Sequence, residues 1–290
     1  MRVALFDNIE KPESARYAAM AAAKLLQLGA EVCTTHELAE HVEEQYRERV
    51  RALDVSCFEK YADVLISFGG DGTLLTAANR MINSEIPIMA VNVGKLGFLA
   101  EFSVRELNSS LENLIRGNYR VVDRTILEAH IDDNILYAVN DFVIEKSTSR
   151  MIIVEAFANT HLIGAYRSDG LIVTTPTGST AYSLSNGGPI ITPSANVLCL
   201  TPICPHTLTL RPLVLPDTME IRLQVTDCAA PPTFVADGQT SITVTPDTEI
   251  VIRRSSALLK LIKPQESSYY DLLRKKLLWG ANAENHGEDY

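Results

Sequence analysis

The sequence predicts an α/β N-terminal domain on an open, mostly parallel sheet, then a mostly antiparallel β domain, with a C-terminal helix returning to the first domain. Three observations carry this. Short apolar runs alternate with helical patterns from Val3 to Arg116, which is the signature of a parallel sheet covered by helices. From Tyr119 the texture changes to short β-rich runs separated by turns. Ser267–Trp279 is amphipathic again, with Tyr270, Leu273, Leu277 and Leu278 at helical spacing. At 290 residues the chain is long for one domain. The expected division is 1–118, 119–266 and a C-terminal helix in 267–290, with polar Gly280–Tyr290 fraying at the end.

In order, Val3–Phe6 reads as a buried strand and Ser14–Leu28 as a helix stopped by Gly29. Glu31–Thr34 is a second strand, and the polar stretch His36–Arg51 a helix or mobile segment with a solvated face. Ala62–Phe68 is a strand that runs into Gly69-Gly70-Asp71-Gly72-Thr73, with a helix from Leu74 to about Ile82. Ile86–Val91 is a strand ending in a second glycine loop, Asn92–Leu99. Val104–Arg116 reads as a helix closed by Gly117-Asn118. Then come β runs at Arg120–Ile126, Leu136–Ile144, Ile152–Ala158, Leu171–Thr174, Met219–Val225, Thr233–Ala236, Ile242–Val244, Glu249–Ile252 and Leu258–Leu261. One helical patch, Ser179–Ser185, interrupts them.

The composition, 46% hydrophobic and 21% charged, is that of a chain that buries a full core. A net charge of −10 argues against non-specific nucleic-acid binding, so a phosphate site must be built locally. Five cysteines without a C-x-x-C pair argue against a disulfide framework or a zinc site and for reduced thiols. No signal peptide and no apolar membrane span is found, so the expectation is a cytoplasmic protein with no membrane partner.

Gly69-Gly70-Asp71-Gly72-Thr73 is the most informative motif. Glycines let backbone approach a ligand closely, and the following helix aims free N–H groups at the loop. That makes a phosphate seat with an acid inside it. Asp71 has two readings, a helix N-cap or a functional carboxylate that holds a cation or takes a proton. The chain has neither a P-loop nor a G-x-G-x-x-G after its first strand. A second polar cradle spans Arg167-Ser168-Asp169-Gly170 and Thr174–Pro189; it reads as a ligand loop or as a turn with a Ser/Thr-rich cap. Asn140-Asp141 is a polar pair inside an apolar run, open to a site or a bulge. Asp237-Gly238-Gln239 taken alone reads as a hairpin turn.

Together, and in this order, these motifs and Asn92-Val93-Gly94-Lys95-Leu96-Gly97-Phe98-Leu99 resemble the bacterial NAD kinases. The tail Tyr270–Gly280 is similar too, so the resemblance covers nearly the whole chain, and Thr175–Tyr182 is its most specific part. Diacylglycerol and sphingosine kinases share the Gly-Gly-Asp-Gly-Thr loop, but Asn92–Glu101 stands where they carry Pro-x-Gly-Thr-x-Asn-Asp-Phe-Ala.

The resemblance implies transfer of the γ-phosphoryl of ATP to the 2′-hydroxyl of the adenosine ribose of NAD. It implies Asp71 as catalytic base and Gly69, Gly70, Gly72 and Thr73 as the ATP phosphate loop. Asp71 and Gly72 would approach the dinucleotide, and Asn140 and Asp141 would hold its adenosine side. Thr180, Ala181, Tyr182, Ser183, Leu184 and Ser185 would line the pocket, flanked by Arg167 and Asp169, with Gln239 as a late contact. The family often has Asn-Glu where this chain has Asn140-Asp141. A divalent cation, Mg2+ by expectation, would assist, with its ligands unassigned. The resemblance, with the apolar tail helix, implies a homodimer or homotetramer.

Overall fold

The computed structural model describes residues 1–7 and 11–279; the predicted fraying of Gly280–Tyr290 lies outside the described residues. The chain forms two compact units. One comprises residues 1–77, 86–122 and the chain from Lys260; the other comprises 78–85 and 123–259.

In the first unit, parallel strands Val50–Ala52, Glu31–Thr34, Arg2–Asp7, Val64–Gly69 and Ile88–Asn92 lie side by side in that order. The end of the Glu249–Lys263 strand adds to the Ile88–Asn92 side through Leu261 and Ile262. The central strand Val64–Gly69 is buried along its whole length, as a parallel strand covered on both faces must be. Helix Pro12–Gln27 lays Ala18, Ala22 and Leu25 on this sheet; helix Leu107–Arg116 adds Leu111 and Leu114. Gly29 (φ 81°) and Gly117 (φ 74°) follow these helices in left-handed conformations, which glycine takes without a Cβ penalty. The C-terminal helix Tyr269–Leu277 belongs to this unit, with Leu272 and Leu273 buried. Just before it, Arg120 donates to the Ser267 carbonyl at 2.8 Å.

The second unit is built on antiparallel strand pairs. One sheet orders Leu213–Pro216, Val197–Ile203, Gly170–Thr174, Asp141–Glu145, Thr233–Ala236 and Thr240–Thr243. Another pairs His161–Ser168 with Ile152–Ala158, Ile221–Asp227 and the start of Glu249–Lys263. Their inner faces share one core, in which Phe142 and Phe234 stack at 5.1 Å between centroids.

Three differences from the sequence reading bear on function. The helix expected from Leu74 begins at Asp71, so this acid is its first residue. The single run Leu136–Ile144 is two strands, Asn134–Ala138 and Asp141–Glu145, which belong to different sheets. Val139-Asn140 is the break between them, so the polar pair sits at a strand junction rather than in mid-strand. The two short runs Glu249–Ile252 and Leu258–Leu261 are one 15-residue strand, because Arg253, Arg254 and Ser256 are exposed positions within it.

Candidate active site

In the first unit, Gly69 ends its strand so close to Thr73 that a Cβ there would overlap the threonine side chain. The Asp71 carboxylate turns to the second glycine loop. Oδ2 accepts from Phe98 N–H at 2.8 Å; Oδ1 accepts from Leu99 and Ala100 N–H at 3.1 and 2.9 Å. A Cβ on Gly97 would overlap this carboxylate, which is why the loop carries glycine there. A carboxylate has about four lone-pair directions. Three are taken here by backbone donors, which fixes the side chain and leaves Oδ2 one open direction.

Beside it, a hollow of about 560 Å³ is lined by Gly69, Gly70, Asn92, Gly94, Lys95 and the start of the Pro12–Gln27 helix, Lys11 to Glu13. That helix has no side-chain N-cap, and its start, at the positive end of the helix dipole, borders the hollow. Asn92 shapes the rim by accepting from Gly94 N–H at 2.7 Å. Lys11 and Lys95 were not found from sequence. Their signal is positional, since each follows the carboxyl end of a parallel strand, where open α/β sheets bind ligands.

The second unit builds a parallel arrangement. Asp237 (φ 50°) and Gly238 (φ 67°) form the turn between Thr233–Ala236 and Thr240–Thr243. The hairpin expected there is present, and its carboxylate does more than turn the chain. It accepts from Val139, Asn140 and Asp141 N–H at 2.8, 2.7 and 3.1 Å, holding the strand break. The Thr/Ser/Gly stretch grips the same break from the other side. Thr175 donates to the Val139 carbonyl at 2.6 Å, and Thr174 to that of Asn140 at 2.9 Å. Gly178 lies against the Asn140 carbonyl where a Cβ would clash. Much of the hydroxyl-rich signal thus satisfies backbone groups that a strand break leaves unpaired.

The resulting hollow, about 250 Å³, is lined by Asn140, Asp141, Glu145, Ala181, Tyr182 and Asp237 among others. Burial, with the negative charge of Asp237 second, pushes the Asp141 carboxyl up to about 7. Asn140, Asp141, Ala181 and Tyr182 are therefore brought together. Ser183 is buried and hydrogen-bonds Thr201 at 2.8 Å, away from that hollow. Thr180 donates to the Thr177 carbonyl, Asp169 pairs with Lys146, and Arg167, Ser185 and Gln239 are exposed. Leu184 is partly buried. None of these lines the hollow.

Among the described residues, no three His, Cys, Asp or Glu side chains cluster to hold a metal ion. No helix among them is long and apolar enough to cross a membrane.

A glycine-rich loop with an oriented carboxylate on an α/β unit, and a second, antiparallel β unit, are the design of a two-unit enzyme. Residues 3–119 match the ATP-NAD kinase N-terminal domain, and residues 139–264 match the ATP-NAD kinase C-terminal domain. An NAD kinase of Bacteroides fragilis is 37% identical over 289 residues, 98% of this chain and 99% of that protein. One of Solibacter usitatus is 42% identical over 224 residues, 75% of this chain and 78% of that one. Among solved structures, yeast NADH kinase complexed with NADH shares the fold at TM-score 0.87 and 23% identity, covering 97% of this chain and 88% of that one. An Archaeoglobus fulgidus NAD kinase in complex with ATP shares it at 0.77 and 24%, covering 96% and 99%. The chain belongs to the ATP-NAD kinase family.

Proposed function

We propose that the enzyme transfers the γ-phosphoryl of ATP to the 2′-hydroxyl of the adenosine ribose of NAD, giving NADP and ADP, with Asp71 as general base. Family membership supports the overall reaction. The observation that supports the role of Asp71 is its carboxylate, fixed by three backbone donors beside the Gly69-Gly70 loop and open on Oδ2. A ribose hydroxyl is a weak nucleophile and needs its proton accepted as it attacks; positioned base help contributes roughly 10²–10⁴ in rate. The rest of phosphoryl transfer is positioning and charge neutralisation.

On this reading the first unit receives ATP: Gly69, Gly70, Gly72 and Thr73 approach the phosphates, and Lys11 and Lys95 add positive charge. The second unit receives the NAD adenosine through Asn140, Asp141, Ala181 and Tyr182. Near neutral pH the Asp141 carboxyl holds its proton part of the time, so it can both donate to and accept from a sugar or base. Thr180, Ser183, Leu184 and Ser185 shape the wall behind Tyr182, and Arg167, Asp169 and Gln239 border the nucleotide. A divalent cation, Mg2+ by expectation, would supply charge neutralisation on the phosphates. The enzyme works in the cytoplasm as a homodimer or homotetramer.

The test is to incubate the purified protein with ATP, magnesium and NAD and to follow NADP with an NADP-specific dehydrogenase. Asp71→Asn should lose at least about 10² in turnover while NAD still binds. Near-normal turnover in that variant removes Asp71 from its role, and no NADP from the wild type removes the reaction.

A further inference from the structure

We infer that Lys263 is a positioning residue for Asp71, acting through the peptide group that joins Leu99 to Ala100; this rests on the reading of Asp71 as the base. Lys263 ends the long Glu249–Lys263 strand and is only 2% exposed. Burying an ammonium ion is costly, and well-packed apolar residues often serve stability as well or better. A lysine kept in such a place therefore calls for a specific use of its charge.

Its contacts show that use. The Lys263 Nζ donates to the Leu99 carbonyl at 3.0 Å and pairs with Glu101 Oε1 at 2.7 Å. The Leu99 carbonyl and the Ala100 N–H are two ends of one peptide group. The Ala100 N–H donates to Asp71 Oδ1 at 2.9 Å. A cation thus sits on the oxygen end of that peptide and the Asp71 anion on its N–H end. Both draw the peptide dipole the same way, so each bond strengthens the other.

The anchoring is needed because residues 93–101 have no regular secondary structure, and the segment's N–H groups at 98, 99 and 100 are given to Asp71. Lys276, on the C-terminal helix, holds the same segment further back by donating to the Leu96 carbonyl and lying 5.4 Å from the centre of the Phe98 ring. The donors that orient Asp71 are therefore set by lysines far along the chain, and Lys263 is the buried one.

The experiment uses Lys263→Met/Glu101→Leu, which removes the ion pair without leaving an orphan charge. Lys263→Gln, which keeps a neutral donor for the Leu99 carbonyl, serves as the second variant should the first not fold. Steady-state kcat is measured together with KM for both substrates. The expected result is a fall in kcat of about tenfold or more, as slight misplacement of a reacting group can cause, with both KM values within about threefold. Lys263→Gln, which keeps a donor for the Leu99 carbonyl, should show the same fall in kcat, reduced. In the Asp71→Asn background, removing Lys263 should cost nothing further in kcat. Wild-type kcat, or losses that multiply with Asp71→Asn, overturn the inference while leaving the base intact. Near-normal turnover of Asp71→Asn alone overturns the base reading instead.

Discussion

The Asp141 N–H donates to the Asp237 carboxylate at 3.1 Å, and the Asp141 carboxyl lines the same hollow as that acid. One aspartate thus fixes the backbone of the other while their charges oppose each other. Burial raises Asp237 as well, although its three N–H donors pull the other way. Glu145 and Tyr182 also line this hollow, and among the described residues no Lys or Arg lines it to relieve the repulsion.

Stability should follow. A carboxyl raised in the folded state keeps its proton at pH values where the unfolded chain has lost it. Its contribution is therefore full below the ordinary carboxylate range and is lost as pH rises from about 4 through the folded value of about 7. Asp141→Asn removes this titration. In urea denaturation the wild type should lose stability across that window more steeply than the variant, which should be more stable at pH 8 by about 1–3 kcal/mol. Parallel curves would show that Asp141 ionises freely in the folded protein.

Gly97→Ala tests the close approach of the second glycine loop to Asp71. A Cβ there overlaps the carboxylate, so either the loop or the acid must shift. Displacing a reacting group by about 1 Å can cost roughly 10² in rate. The expected outcome is a loss of that order in kcat, with the thermal midpoint lowered by only a few degrees since the loop lies outside the sheets. An unaltered kcat would mean that this proximity is irrelevant to turnover.

Lys11 and Lys95 border the hollow beside Gly69 and Gly70 and are both exposed. Exposed charges act weakly and are screened by salt. Lys11→Ala and Lys95→Ala should each raise KM for ATP by about threefold to tenfold, less so at high salt, and leave KM for NAD unchanged. Equal effects on the two substrates would place the phosphate donor elsewhere.

The sequence carried some of this arrangement plainly and hid the rest for definite reasons. The glycine loops were legible because only glycine permits the approaches at Gly69 and Gly97. Val64–Gly69 was legible because a strand buried on both faces is continuously apolar. His161–Ser168 was not, since only Tyr166 and Ser168 along it are buried and no buried face stands out in its pattern. Asp237 looked like a turn residue because its partners at 139–141 lie about a hundred residues away. Lys263 gave no signal, because a lysine at a strand end reads as surface and its burial depends on Glu101.

The C-terminal helix divides its apolar residues in a way that periodicity could not resolve. Leu273, read from sequence as available to a partner, is buried within its own unit, whereas Tyr270, Leu278 and Trp279 remain 61, 57 and 53% exposed. Three large apolar side chains left in water, Tyr270 in the first turn of the helix and Leu278 and Trp279 just past its last, favour a covered state. Light scattering should therefore give a multiple of the 31.9 kDa chain mass. Tyr270→Ser/Trp279→Ser should shift the protein towards monomer on dilution without lowering its thermal midpoint at high concentration, since neither residue packs in the core. Leu273→Ser, by contrast, should unfold the helix and lower that midpoint, because it removes a buried leucine worth about 2–5 kcal/mol. A concentration-independent monomer mass for the wild type would assign those three exposed side chains some use other than self-association.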